Sequence, residues 1–299
     1  MSDVRDLAIA ISRCPEVPLA WDDKAHPCHK VVNCQRDSGL AHFQRPEPWM
    51  GGLATAKVLF VASNPSISDD PSDMREAYPT MSTPDDEAGE FFVRRFDPER
   101  QPVFATFGHP SEPSFLTLSI DGEYRNGVDK PKVPQPTWNA IHNRAVELLG
   151  PDAHPHRDWA LTEVVHCKSR KEIGVTQAAT QCANQWLDLV IAVSPAPVVF
   201  ALGGFARDHF ASQLHGCPND FGRGQGYHAM SPADRVRRDT FVTDLGGNQR
   251  VVAFGFRNGS SYPQRLPEVY GEPYVARLRR IALGQEPVPA TTTALHEAA

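Results

Sequence analysis

The stretch KVLFVAS, Lys57 to Ser63, decides the fold. It is a continuous β-branched and aromatic run, the pattern of a strand buried on both faces in a parallel sheet. It stops at Asn64-Pro65-Ser66, a loop at the strand's carboxyl end. Three runs of the same kind follow: WALTEVV (Trp159 to Val165), PVVFALG (Pro197 to Gly203) and RVVAFGF (Arg250 to Phe256). Helical patterns separate them. Pro136-Thr137-Trp138 opens one that runs to Leu149 and is stopped by Gly150. Others cover Val175 to Val193, Phe205 to Leu214 and Tyr274 to Leu283. Strands alternating with helices predict an α/β fold, a three-layer α/β/α sandwich around a central, mostly parallel four-stranded sheet. Ligands gather at the strands' carboxyl ends in such sheets, which singles out the loops at 64–70, 163–170 and 258–261.

The rest of the chain reads as decoration. Residues 1–50 are polar, carry Cys14, Cys28 and Cys34, and show no sustained periodicity beyond Leu7 to Ile11, so this segment is expected to need a staple. The stretch 67–133, rich in Pro, Asp, Ser and Gly with the apolar segments FFVRRF (Phe91 to Phe96) and SFLTLSI (Ser114 to Ile120), is a predicted lid-like insertion with one short helix, and 215–240, rich in Gly and Arg, is a second insertion read as loop. A single domain is expected over 1–285, with a disordered tail at 286–299. At 299 residues and 40% hydrophobic, the chain can bury one sizeable core. No run of eighteen apolar residues and no signal-like start occur, so a cytoplasmic monomer without membrane association is expected. The net charge of -6 argues against a protein that coats nucleic acid, but not against one that grips a few phosphates. Six cysteines in a cytosolic setting point to metal or cluster ligation rather than disulfides.

The order of these pieces resembles a family. LTEVVHCKSRKEIG, a helix carrying Cys182, and then PAPVVFALGGFARDHF are similar to the iron–sulfur branches, families 4 and 5, of the uracil-DNA glycosylase superfamily. VLFVASNPSISDD resembles that superfamily's first motif, and SRCPEVPLAW with RPEPWMGG resembles the start of family 5. The likeness covers roughly residues 11 to 70 and 135 to 265. It implies an enzyme that flips a base out of DNA and hydrolyses its N-glycosidic bond, leaving an abasic site.

The resemblance also implies a 4Fe–4S cluster. Cys167 and Cys182, in a C-x14-C spacing, fit two family positions, and Cys14 fits the second cysteine of the family's N-terminal C-x-x-C, whose first place here is Ile11. Cys28, in HPCHKVVNC, is taken as the fourth ligand, with Cys34 as its alternative. Thiolates are the soft ligands such a cluster needs, and a four-thiolate zinc site is the other reading. Cys217 is unassigned.

In the family's catalytic loops the resemblance places Asn64 as the residue that orients the attacking water. An amide cannot take its proton, so stabilisation of the departing base would have to supply the rate, and Asp70 is the candidate carboxylate. Asn258 stands where the family has a histidine donating to the base, within Arg257-Asn258-Gly259-Ser260-Ser261. His109-Pro110-Ser111 matches that motif in letters but comes too early in the topology. Ser66 and Ser260 are candidate substrate contacts, and Phe91 is a candidate stacking platform for a flipped base.

Glu163 selects the base. Uracil-excising relatives carry an asparagine there, and a carboxylate would oppose the uracil carbonyl. The exocyclic amine of cytosine reverses the pattern, and a protonated Glu163 could also donate to N3. Unmodified cytosine is excluded because its excision would destroy the host genome. The expected substrate is therefore a modified cytosine, hydroxymethylated or glycosylated, in phage DNA, with a defence role. Two readings compete: uracil or deaminated-base repair, with Glu163 turned toward Arg170 or Lys171, and a non-catalytic binder of damaged or modified DNA. Lys168, Arg170 and Arg257, with Lys171, Arg235, Arg237 and Arg238, are candidate phosphate contacts.

Overall fold

The computed structural model describes residues 4–37, 43–67, 78–97, 116–118, 124–126, 136–223, 226, 229–255 and 264–297. The four runs read as buried strands form the parallel centre of one sheet: β2 (Val58–Ala62), β5 (Trp159–Glu163), β6 (Val198–Leu202) and β8 (Asn248–Gly255). The sheet has six strands rather than four. β1 (Met50–Gly51) pairs antiparallel with β5, and β7 (Thr240–Leu245) pairs antiparallel with β8, giving the order β1-β5-β2-β6-β8-β7. Gly51 makes the first edge possible: its φ is +88°, and a Cβ there would lie 2.4 Å from the Trp159 carbonyl oxygen. Within the first insertion, β3 (Leu116–Leu118) and β4 (Tyr124–Asn126) form a separate antiparallel pair.

Alternation along the central strands sends side chains to two cores. Leu59, Val61, Ala160, Val199, Ala201 and Val252 pack with α1 (Val4–Ser12), α2 (Glu16–Asp22), α3 (His29–Asp37), α4 (Asp85–Arg94), α6 (Val175–Cys182), α7 (Asp188–Val193) and α8 (Gly203–Gln213). Val58, Phe60, Trp159, Leu161, Val198 and Val251 pack with α5 (Pro136–Leu149), α9 (Pro232–Asp239), α10 (Leu266–Tyr270), α11 (Glu272–Ala282) and α12 (Thr292–Glu297). Helices thus cover both faces, which is why these strands carry no polar face. A π-helical turn, Ala183–Leu187, links α6 to α7.

Three expectations for the decorations are corrected. The N-terminal segment is helical: α1 buries Leu7, Ala8 and Ile11, α2 buries Val17 and Ala20, and α3 contributes Val31 and Val32. Helices of seven to nine residues are too short for a periodic window to find. The 215–240 stretch is not all loop, because Ser231 caps α9 by accepting from the Asp234 N–H, with Pro232 in the first turn. The tail is not without structure: Glu286 pairs with Arg277 at 2.8 Å, and α12 buries Leu295 completely. The one short helix expected in the first insertion is α4, tied to the N-terminal helix α1 by Arg13–Asp85 at 2.8 Å and Arg5–Asp86 at 3.0 Å. Among the described residues no helix is long and apolar enough to cross a membrane.

Candidate functional site

The loops that follow β2 and β5 are laced together. The Ile67 N–H donates to the Ser169 carbonyl at 3.1 Å, and the Ser169 N–H donates to that of Pro65 at 3.0 Å. Asn64 completes the lacing, because its Nδ2 donates to the Pro65 carbonyl at 2.7 Å, the Ser169 Oγ at 3.0 Å and the Cys167 carbonyl at 3.4 Å. The Asn64 amide nitrogen is therefore a clamp between loops, and among the described residues only its oxygen is left to orient a water. Ser66 is exposed, and its backbone bridges to Ser169.

Glu163, the last residue of β5, is 3% exposed, and its Oε2 has no hydrogen-bond partner among the described residues. Three charged groups act on it: Glu47, Lys168 and Arg95. Glu47 is ion-paired on both oxygens, Oε1 to Arg95 at 3.1 Å and Oε2 to Lys168 at 3.2 Å, all three side chains being nearly inaccessible. Burial alone would raise the Glu47 carboxyl, but the Lys168 and Arg95 charges outweigh it and hold the group below the usual range. Glu163 goes the other way. Burial, and then the negative charge of Glu47, push it well above the usual carboxylate range, and the two cations only partly offset this. The two neighbouring acids are thus driven in opposite directions by one set of charges.

An aromatic wall closes this group. Lys168 Nζ lies 3.7 Å from the Tyr78 ring centroid and the Arg95 guanidinium 5.2 Å from that of Phe91, which meets Tyr78 edge-on at 5.6 Å. Phe91 is thus half-buried in a cation–aromatic cluster that reaches Glu163 through Arg95, rather than standing free as a stacking platform. His166, 1% exposed, shares hydrogen bonds with Glu47: its Nδ1 donates to the Glu47 carbonyl at 2.7 Å, and burial lowers the imidazole to about 4.

Four cysteines converge nearby. Cys14, Cys28, Cys167 and Cys182 line one cavity together with Val17, Val165, Gln181 and Gln185. Burial raises the Cys167 thiol, and Cys182, Cys14 and Cys28 act on it in addition. Burial likewise takes Cys28 to about 12, assisted by Cys14 and Glu16. Two donors already point at these sulfurs: the His166 N–H to Cys182 Sγ at 3.3 Å and Trp186 Nε1 to Cys14 Sγ at 3.4 Å. Cys34 belongs to a different pocket, where its Sγ accepts from the Arg170 N–H at 3.2 Å. Among the described residues no three His, Cys, Asp or Glu side chains are arranged to hold a single metal ion.

No protein-family model matches the chain, and no curated protein matches it either.

Several phosphate candidates are corrected. Lys168 is 8% exposed and committed to Glu47. Arg238 is buried against Asp239, and Arg235 donates to the Glu268 carbonyl at 3.0 Å. Arg170 remains at a concave surface and Arg237 in the open. Asp70, Arg257, Asn258 and Ser260, with His109-Pro110-Ser111, lie outside the described residues. Sequence reasoning missed Glu47 and Arg95. RPEPWMGG and FFVRRF were both in view, but nothing local shows that residues 48 positions apart meet as a buried pair.

Proposed function

We propose that the protein is a DNA glycosylase that flips a modified cytosine, hydroxymethylated or glycosylated, out of phage DNA and hydrolyses its N-glycosidic bond. The observation that carries this reading is the buried Glu163 carboxyl, with one oxygen unpartnered among the described residues and its titration pushed up by burial and by the neighbouring Glu47 charge. A neutral carboxylic acid offers one O–H and one carbonyl oxygen. Its O–H matches N3 of cytosine, and its carbonyl oxygen accepts from the exocyclic amine. Uracil presents the opposite pattern at both atoms: an ionised Glu163 would oppose its O4, whereas the neutral acid can meet it with the proton on its other oxygen, so the duplex assay below decides between the two bases.

The chain's residues divide the remaining work. Lys168 and Arg95 keep Glu47 charged, and that charge keeps the Glu163 proton in place. Asn64 fixes the two loops through its amide nitrogen. Cys14, Cys28, Cys167 and Cys182 would hold a 4Fe–4S cluster, whose thiolate requirement their composition meets. The same four thiolates could instead hold one zinc ion, and iron and zinc analysis of the purified protein separates the two. Such a group when bound crosslinks the N-terminal helices to the end of β5, and its role is structural.

The test is incubation with duplexes holding hydroxymethylcytosine, its glucosylated form, uracil or hypoxanthine, followed by alkaline cleavage of abasic sites. Breaks at a modified cytosine support the proposal, and breaks only at uracil overturn the choice of base. Tight binding without breaks would make the protein a reader of modified DNA, a reading that the committed amide of Asn64 favours.

A further inference from the structure

The loop between Cys167 and α6 adopts a costly left-handed backbone that ties the end of β2 to α3. Lys171 and Glu172 have φ of 51° and 59°, left-handed values that side chains with a Cβ rarely adopt, and Gly174 follows at 78°. Three contacts hold this shape. Ser63 Oγ donates to Glu172 Oε1 at 2.5 Å, and the Arg170 N–H donates to Cys34 Sγ at 3.2 Å. Gly174 sits so close to α3 that a Cβ would lie 2.2 Å from the Val31 nitrogen. The result is presentation of Ile173, which stays 47% exposed between the exposed Lys171 and Glu172 and the buried Gly174.

Ile173 forms one wall of a notch of about 240 Å³, whose other walls are His29, Lys30, Asn33, Cys34 and Arg170. Among the described residues the lining is cationic and amide-bearing and holds no carboxylate. The acid next door, Glu172, is turned to Ser63. The same loop begins at Ser169, which is laced to Asn64 and Ser66 at the carboxyl ends of β2 and β5, the end of the sheet that holds Glu163. An apolar residue held out by a strained backbone, ringed by donors and positive charge, complements a polyanion with apolar sugars and bases.

We propose that this notch seats the backbone of the DNA substrate, Lys30 and Arg170 meeting phosphates and Ile173 pressing on the adjoining nucleotide. The inference rests on the glycosylase reading for the identity of the polyanion, and it adds the surface on which the strand lies. It also assigns a role to Arg170 that Lys168, committed to Glu47, does not share.

Binding separates the two levels. Anisotropy of a labelled duplex carrying an uncleavable abasic-site analogue is followed across a salt series, beside an unmodified duplex. Lys30→Ala and Arg170→Ala should each shallow the slope of log affinity against log salt by about one, and the pair by about two. Ile173→Ala should leave the slope unchanged and weaken binding of the analogue duplex about fivefold. Lys30→Glu, at an exposed helix position, gives a second variant that leaves the loop backbone untouched, and melting curves check that each variant is folded. Wild-type protein that binds with a steep salt slope, while these variants match it, would overturn the notch and leave the glycosylase reading standing. Wild-type protein that binds neither duplex would overturn both.

Discussion

Glu163 and Glu47 are two buried carboxyl groups within electrostatic reach of each other whose surroundings drive their titration in opposite directions, Glu163 up by burial and the Glu47 charge, Glu47 down by Lys168 and Arg95. Their difference has a thermodynamic signature. The folded state retains the Glu163 proton at a pH where the unfolded chain has released it, so this group's contribution to stability falls as pH rises from the ordinary carboxylate range toward the raised value. Glu163→Gln removes that loss. The melting temperature of the variant relative to wild type should therefore improve between pH 5 and pH 8, as read by calorimetry; a constant difference would mean that Glu163 is ionised in the native protein.

Glu47 has the reverse role. Glu47→Gln leaves Arg95 and Lys168 buried without their counter-charge, which should cost about 3–5 kcal/mol in urea unfolding. Pairing it with Lys168→Met should recover part of the loss, because one stranded cation is gone. Without the Glu47 charge, Glu163 should also ionise at lower pH.

The cysteines make an all-or-none prediction. Replacing Cys14, Cys28, Cys167 or Cys182 by serine should each abolish bound iron and the brown absorbance near 400 nm, while Cys34→Ser and Cys217→Ser should keep both. Iron retained in Cys28→Ser and lost in Cys34→Ser would reverse the choice of fourth ligand.

Trp186 follows from the π-helical turn. The turn lies between Cys182 and α7, and its Trp186 Nε1 donates to Cys14 Sγ at 3.4 Å. Hydrogen bonds to ligating sulfurs raise the reduction potential of an iron–sulfur centre. Trp186→Phe keeps most of the packing and loses the donor, so the potential read by voltammetry should fall while iron content stays constant.

The four central strands were legible because burial on both faces writes itself into an uninterrupted apolar run, as in KVLFVAS and PVVFALG. The edges were not. β1 is two residues long, and β7, TFVTDL, is broken by Thr243 and the exposed Asp244, so neither makes an apolar run. Glu163 could be singled out because its place at the end of a recognisable strand was known, whereas its partners Glu47 and Arg95 arrive from elsewhere in the chain. The same blindness misread Lys168: a lysine after a strand looks like a phosphate contact until the glutamate that neutralises it is seen. The π-turn was invisible too, since one wider turn barely disturbs the periodicity of Val175 to Val193.

The most direct measurement is the pH dependence of excision from a duplex holding glucosylated hydroxymethylcytosine, for wild type and Glu163→Gln. Glutamine copies the neutral acid, with an N–H in place of the O–H, but cannot ionise. Wild-type activity should decline on the alkaline side as Glu163 loses its proton, and the variant should hold its rate there. Superimposable profiles, or wild-type protein that prefers uracil at every pH, would contradict the account.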